Sequence, residues 1–291
     1  MFLLYKEVVL TEAKRYKCIF CLKESENFNT VEHIVSESLG NTNDTLRNAV
    51  CDKCQNYLGK EVEYFVLSKT PFAFWRTIYG AKSKKGKEPF FDMTSDKKDN
   101  GRISNYHPFS DSNIIIHPAH FINEFVIAAD INNKAILEKI QSGEKDQFNL
   151  VLTPKILVYI GRFLGKIALE YWFKYYGGKV FEKRFDELRH YVRYGTTNAM
   201  WPIFHWKLTD NLLKYEDIYD GLQEHTLYRY AYGEIKAINK LLFIFDIGSE
   251  RYGIIMDEKY PNSNMLTYEM LSKLFEDVTE FPDIFYYSQL K

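Results

Sequence analysis

Four cysteines stand in two Cys-x-x-Cys pairs, Cys18-Ile19-Phe20-Cys21 and Cys51-Asp52-Lys53-Cys54, and the acid and imidazole of Glu32-His33 lie between them. Each pair supplies two thiolates from one tight turn, and two such turns suit a closed tetrahedral zinc site. A disulfide framework suits a small secreted domain. The opening MFLLYKEVVL is broken at Lys6 and Glu7, which makes it too short and too charged for a signal peptide or a membrane span. The expectation is therefore a cytoplasmic protein with no membrane association, in which Cys18, Cys21, Cys51 and Cys54 hold structural zinc. Four free thiols are the alternative. In so small a unit the metal supplies much of the folding free energy.

The elements that must position Glu32 and His33 follow from the pattern around them. Phe28 to Val35 alternates as a strand, and SESLGNTNDTLRN after it is an irregular loop rich in Gly, Asn, Ser and Asp. From Gln55, the residues Leu58, Val62 and Phe65 recur at helical spacing up to Thr70-Pro71, so a helix starts at the last cysteine. The order is strand, loop, helix, with the second thiol pair holding the helix start near the strand.

Taken together, Cys-x-x-Cys, Glu32-His33-Ile34, Leu39-Gly40-Asn41 and Asn48-x-x-Cys-x-x-Cys before a helix resemble the HNH endonucleases, the zinc-stapled branch of the ββα-metal or His-Me finger nucleases. The resemblance covers roughly residues 16 to 66 and says nothing about residues 110 to 291. It implies that His33 is the general base that activates a water toward the scissile phosphate, a role open to an imidazole that is mostly neutral near pH 7. It further implies that Glu32 is a ligand of a catalytic divalent cation, Mg2+ or Mn2+, and that Asn48 orients the histidine. The family's second ligand commonly follows the last cysteine, where this chain has Gln55 and then Asn56; either amide could serve. Adjacent strand residues face opposite ways, so Glu32 and His33 need a twist or bulge to share one site. Ser36 stands where the family often has proline.

The remaining sequence bounds the partners. A net charge of -1 over 291 residues confines any nucleic-acid contact to a local patch. Lys82, Lys84, Lys85 and Lys87 form one candidate for gripping phosphates. Lys97, Lys98 and Arg102 are diluted by acids in a long loop or linker. Phe and Tyr, at 22 each, are spread along the chain and fit an aromatic core better than base-stacking platforms. His117-Pro118-Ala119-His120 fits a loop between strands better than a metal site. A helix begins at Thr153-Pro154 and buries Ile156, Ile160, Phe163, Ile167 and Tyr171 up to Gly177-Gly178; Lys179 to Tyr194 supplies another. Thr226 to Ala231, Leu241 to Ile247 and Tyr252 to Met256 are strands, the last two forming a hairpin. His190, His205 and His225 are scattered and fit structural or surface roles.

The expected fold class is α+β: a small zinc-stapled ββα-metal domain over residues 1–70, a basic loop or linker over 71–110, and a larger mixed α+β domain over 111–291. The expected function is metal-dependent hydrolysis of DNA phosphodiester bonds, in restriction, another anti-phage system or a mobile element. A protein partner or homo-oligomer would form through the C-terminal domain. The alternatives are a noncatalytic zinc module that binds nucleic acid or protein, and a nuclease subunit silent without its partner.

Overall fold

The computed structural model describes residues 15–41, 43–83, 85–92, 114–116, 120–121, 125–126, 129–131, 134–144, 154–195, 201–208, 227–235, 239–257 and 283–287. The expectations for Lys84, Lys97, Lys98, Arg102, residues 117–119 and His225 fall outside them. The fold is α+β.

The N-terminal elements are short because side chains, more than ladders, tie them together. Strands β1 (Tyr16–Lys17) and β2 (Glu24–Ser25) pair antiparallel around the first thiol turn. Strand β3 (Glu32–His33) pairs with β4 (Thr45–Leu46), Glu32 opposite Leu46 and His33 opposite Thr45. The alternation from Phe28 to Val35 thus yields a strand only at its middle. The reason is Asp52: its carboxylate accepts hydrogen bonds from the Asn29 and Thr30 amides, at 3.0 and 3.2 Å, and from both side chains. Those local bonds replace a strand ladder. The same residue opens helix α1 (Asp52–Leu58), with Cys51 extended before it, so the helix starts before Gln55. A π-helical turn over Gly59–Glu63 joins α1 to α2 (Tyr64–Lys69). Thr70 then ends one helix and caps the next: its hydroxyl accepts from the Phe72 amide at 3.2 Å, and Pro71 begins α3 (Pro71–Ile78).

Short strands follow: β5 (Phe91–Asp92), β6 (Ile114–Ile116) and β9 (Ala129–Ile131) in one sheet, β7 (His120–Phe121) and β8 (Phe125–Val126) in another, then helix α4 (Lys134–Gln141). Helix α5 (Pro154–Tyr176) has the expected apolar residues Ile156, Ile160, Phe163, Ile167 and Tyr171 fully buried. Helix α5 ends at Tyr176, with Gly177-Gly178 stopping it as expected, and 3-10 turns over Gly177–Phe181 and Lys183–Phe185 lead into α6 (Asp186–Tyr194), which occupies the second half of the helix expected over Lys179 to Tyr194. Gly161 and Gly165 let α6 lie close on α5: an added Cβ would come within 2.6 Å of the Tyr191 hydroxyl at the first and within 2.7 Å of Val192 at the second. Strands β10 (Trp201–Lys207), β11 (Tyr228–Ile235), β12 (Lys240–Ile247), β13 (Glu250–Ile255) and β14 (Asp283–Tyr287) form an antiparallel sheet in the order β11-β12-β13-β10-β14.

Helix α5 organises the core. On one side Phe163 meets Phe72 of α3 and Phe245 of β12, with ring centroids 5.5 and 6.5 Å apart. On the other it faces β3. Buried residues from Cys18 to Met256 join in one apolar cluster, in which most of the described aromatics lie. Tyr64, Tyr175 and Tyr194 remain exposed. His190 packs edge-on against Tyr194, and His205 lies tilted against Tyr252. No helix among the described residues is long and apolar enough to cross a membrane.

Candidate active site

The four cysteine sulfurs lie within 4.8 Å of one another, Cys21 and Cys51 at 3.8 Å. Tetrahedral zinc with bonds of about 2.3 Å places its sulfurs about 3.8 Å apart, so the donor set fits that ion. The Cys51 amide also donates to the Cys18 sulfur at 3.4 Å, which favours a thiolate there. Without metal the thiols share protons unequally. The hydrogen bond from Cys54, against the cost of burial, holds Cys18 down to about 5, whereas burial pushes Cys51 up to about 11. Cys54 is pushed up further, first by that hydrogen bond and then by burial.

Strand β3 divides its two side chains. Glu32 turns inward and is 5% exposed, while His33 is half-buried. The His33 Nε2 lies 2.8 Å from a Glu37 carboxylate oxygen, one turn further along the chain. With the Nε2 proton donated to Glu37, Nδ1 is the nitrogen left to accept a proton, and it is buried with no hydrogen-bond partner. Asn48 sits in the bend before α1 with φ +59, a left-handed conformation that asparagine tolerates, and it does not bond the imidazole. Glu37, not Asn48, is the group in contact with that ring.

Glu32 meets an unexpected partner. The Lys166 ammonium, from the middle of α5, lies 2.7 Å from Glu32 Oε1, 2.9 Å from Glu63 and 2.9 Å from Glu170. It also donates to the backbone carbonyls of His33 and Ile34 at 3.3 and 3.2 Å. Burial pushes the carboxyls of Glu32 and Glu170 up, against the pull of the lysine, and the three carboxylates outweigh burial in holding Lys166 charged. The second Glu32 oxygen, Oε2, is buried with no hydrogen-bond partner. A hard cation fits such an oxygen.

The two amide candidates stand on α1. Gln55 donates from Nε2 to the Val31 carbonyl at 2.9 Å, and its oxygen accepts from the Thr30 hydroxyl. Asn56 is exposed. Among the lysines, Lys82 pairs with Glu88 at 3.1 Å, and Lys85 and Lys87 are exposed.

Residues 18–69 match the family model described as HNH endonuclease. The matched segment runs from Cys18 to the end of α2, so it contains the thiol frame, Glu32-His33 and Glu63. It excludes α5. A search of curated proteins and one of solved structures gave no match.

Sequence reasoning missed Glu37, Glu63, Lys166 and Glu170. A signal for the last two exists: Arg162, Lys166 and Glu170 recur every four residues on an otherwise apolar helix, and all three are buried. Buried charges on one stripe require partners from elsewhere in the fold.

Proposed function

We propose that this chain is a metal-dependent HNH-type endonuclease that hydrolyses DNA phosphodiester bonds. The observation that carries the reading is the placement of Glu32-His33 on a two-residue strand between the paired thiol turns, inside the segment that matches HNH endonucleases. Nucleic acid is the substrate class that match implies, and DNA is the choice within it.

In this reading His33 is the general base: Glu37 holds its Nε2–H, fixing the tautomer, and Nδ1, buried in the free chain, is uncovered to take a proton from water when the substrate binds. The resulting hydroxide attacks phosphorus, the P–O3′ bond breaks, and the leaving oxygen takes a proton from solvent. Glu32 would hold a Mg2+ or Mn2+ ion, and such an ion would supply positive charge to the transition state and the leaving oxygen. Gln55 or Asn56 supplies an amide oxygen, Gln55 by giving up its bond to Thr30. Asn48 shapes the bend that returns the chain from β4 to α1. Zinc at Cys18, Cys21, Cys51 and Cys54 is structural. Lys82, Lys84, Lys85 and Lys87 contribute contacts to phosphates, with Lys82 exchanging its exposed pair with Glu88. The proposed setting is cytoplasmic, in restriction or another anti-phage system, with the larger C-terminal part selecting substrate or partner.

The deep burial of Glu32 against Lys166 favours one second reading, a nuclease silent until a partner rearranges the site. Both are tested by incubating the protein with supercoiled plasmid in Mg2+, Mn2+ or EDTA, beside His33→Ala, Gln55→Ala and Asn56→Ala. Metal-dependent nicking lost in His33→Ala is the expected result, and whichever amide variant is also inactive names the second ligand. A wild type inactive with either metal counts against autonomous cleavage.

A further inference from the structure

Five oxygens converge on the Lys166 ammonium: one each from Glu32, Glu63 and Glu170, at 2.7, 2.9 and 2.9 Å, and the carbonyls of His33 and Ile34 at 3.3 and 3.2 Å. An ammonium has three protons to donate, so the cage holds more oxygens than it can satisfy. Two more carboxylate oxygens, Glu32 Oε2 and Glu170 Oε1, are buried without a hydrogen-bond partner, on side chains at least nine-tenths buried. Oxygen-rich cages of this kind suit hard divalent cations, which take six or more oxygens from carboxylates, carbonyls and water. Charge gives an independent argument. Once the ligands are ionised, three carboxylates and one ammonium are two charges from neutral, and burying unbalanced charge is costly. One divalent ion makes the balance exact.

We infer that Glu32, Glu63 and Glu170 together form one divalent-cation site, with the Lys166 ammonium filling its centre in the metal-free chain and moving aside as a tethered counter-ion when Mg2+ or Mn2+ binds. The inference rests on the reading of Glu32 as a ligand and extends it to carboxylates from two further elements. Glu63 comes from the π-helical turn, a distortion that recurs at functional sites. Glu170 comes from α5, outside the matched residues 18–69. The cation site is then completed by the C-terminal part of the chain, and residues 18–69 alone would lack one of its ligands.

The test measures Mn2+ binding to the zinc-loaded full chain, without nucleic acid, by electron paramagnetic resonance and titration calorimetry. The wild type is expected to take one Mn2+ beyond its zinc, and Glu63→Gln and Glu170→Gln each to weaken it at least tenfold. Lys166→Met removes the competing ammonium, so it is expected to bind Mn2+ more tightly and to gain more thermal stability from Mn2+ than the wild type does. Zinc content and circular dichroism check folding. If Glu170→Gln does not fold, Glu63→Gln, at a partly exposed side chain, carries the test. Wild-type protein that takes no Mn2+, or Mn2+ binding unchanged in the foldable glutamine variants, overturns the inference. Plasmid cleavage separates it from the nuclease reading. Mn2+ bound through these carboxylates without cleavage upholds the site and counts against autonomous cleavage; metal-dependent cleavage with Mn2+ binding unchanged in the variants does the reverse.

Discussion

Arg189 of α6 is 3% exposed and reaches back to the first thiol turn: its Nε donates to the Ile19 carbonyl at 2.6 Å and its Nη2 to the Val180 carbonyl at 2.5 Å. Ile19 lies between the two cysteines of the first pair, so this guanidinium ties the C-terminal helices to the thiol frame. Arg189→Met keeps most of the packing of the stem and removes both donors. A hydrogen bond from a charged donor contributes about 1.5–3 kcal/mol, and a carbonyl left buried without a partner costs a comparable amount. The ion pair with Asp186 adds little, because that carboxylate is 45% exposed. The two lost bonds together predict a loss of roughly 3–6 kcal/mol. At about 2–4 °C per kcal/mol for a chain of this size, the midpoint of thermal unfolding should fall by roughly 6–24 °C. The zinc turn should also loosen, so zinc should pass to a competing chelator faster than from the wild type. Scanning calorimetry and chelator kinetics on the two proteins provide the check. A loss below about 1 kcal/mol with an unchanged zinc-release rate would refute the claim that Arg189 carries energy between the two parts.

Zinc uptake should release protons from Cys51 and Cys54, whose thiols are held protonated near neutral pH; calorimetry in buffers of different ionisation enthalpy should count at least two, and zinc affinity should fall as pH falls. Gly248 has φ +59 in the β12–β13 turn, and an added Cβ would come within 2.1 Å of a Trp75 ring carbon, so Gly248→Ala should cost at least about 2–3 kcal/mol in chemical denaturation. Asp44 is held below the usual carboxylate range: burial pushes it up, but Lys174 and the Tyr171 hydroxyl outweigh that. Its contribution should be fully present above the unfolded carboxyl value of about 3.9 and lost as pH falls through the lower folded value. The difference in thermal midpoint between the wild type and Asp44→Asn should accordingly be constant from about pH 5 to 7 and shrink in stronger acid. Tyr171→Phe removes a 2.8 Å bond to the same carboxylate and should cost about 1.5–3 kcal/mol; a cost below about 0.5 would show that water replaces the hydroxyl.

The four-thiol frame was legible because its information is local. Four sulfurs brought within 4.8 Å of one another follow from two tight turns, and each turn is written in four consecutive residues. Helix α5 was legible for a similar reason, since its apolar stripe repeats over several turns and needs no knowledge of what it packs against. The β3 strand was overread because alternation describes which residues could pair, whereas Asp52 decides which do by capturing the Asn29 and Thr30 amides. That competition links residues far apart in sequence, and no window around Phe28 to Val35 contains it.

The surroundings of Glu32 were illegible for a stronger version of that reason. A carboxylate next to a histidine carries the same local signal whether it faces water, a metal or a lysine, and only the packing of α5 onto β3 selects Lys166. Even so, half of that contact was present in the sequence as a demand. Lys166 and Glu170 sit one turn apart on a helix whose other residues from Ile160 to Leu169 are mostly apolar and buried, and neither charge could be buried there without partners. An unpaired demand of this kind on one element and an unexplained acid on another are each ambiguous alone. Read together, they constrain how two parts of a chain must dock, because Glu32 and Glu63 are the acids that can reach the stripe when β3 and the π-helical turn pack against it. The charged stripe on α5 therefore acts as the recognition element for the nuclease-like segment, and the apolar contacts around it provide the bulk of the burial.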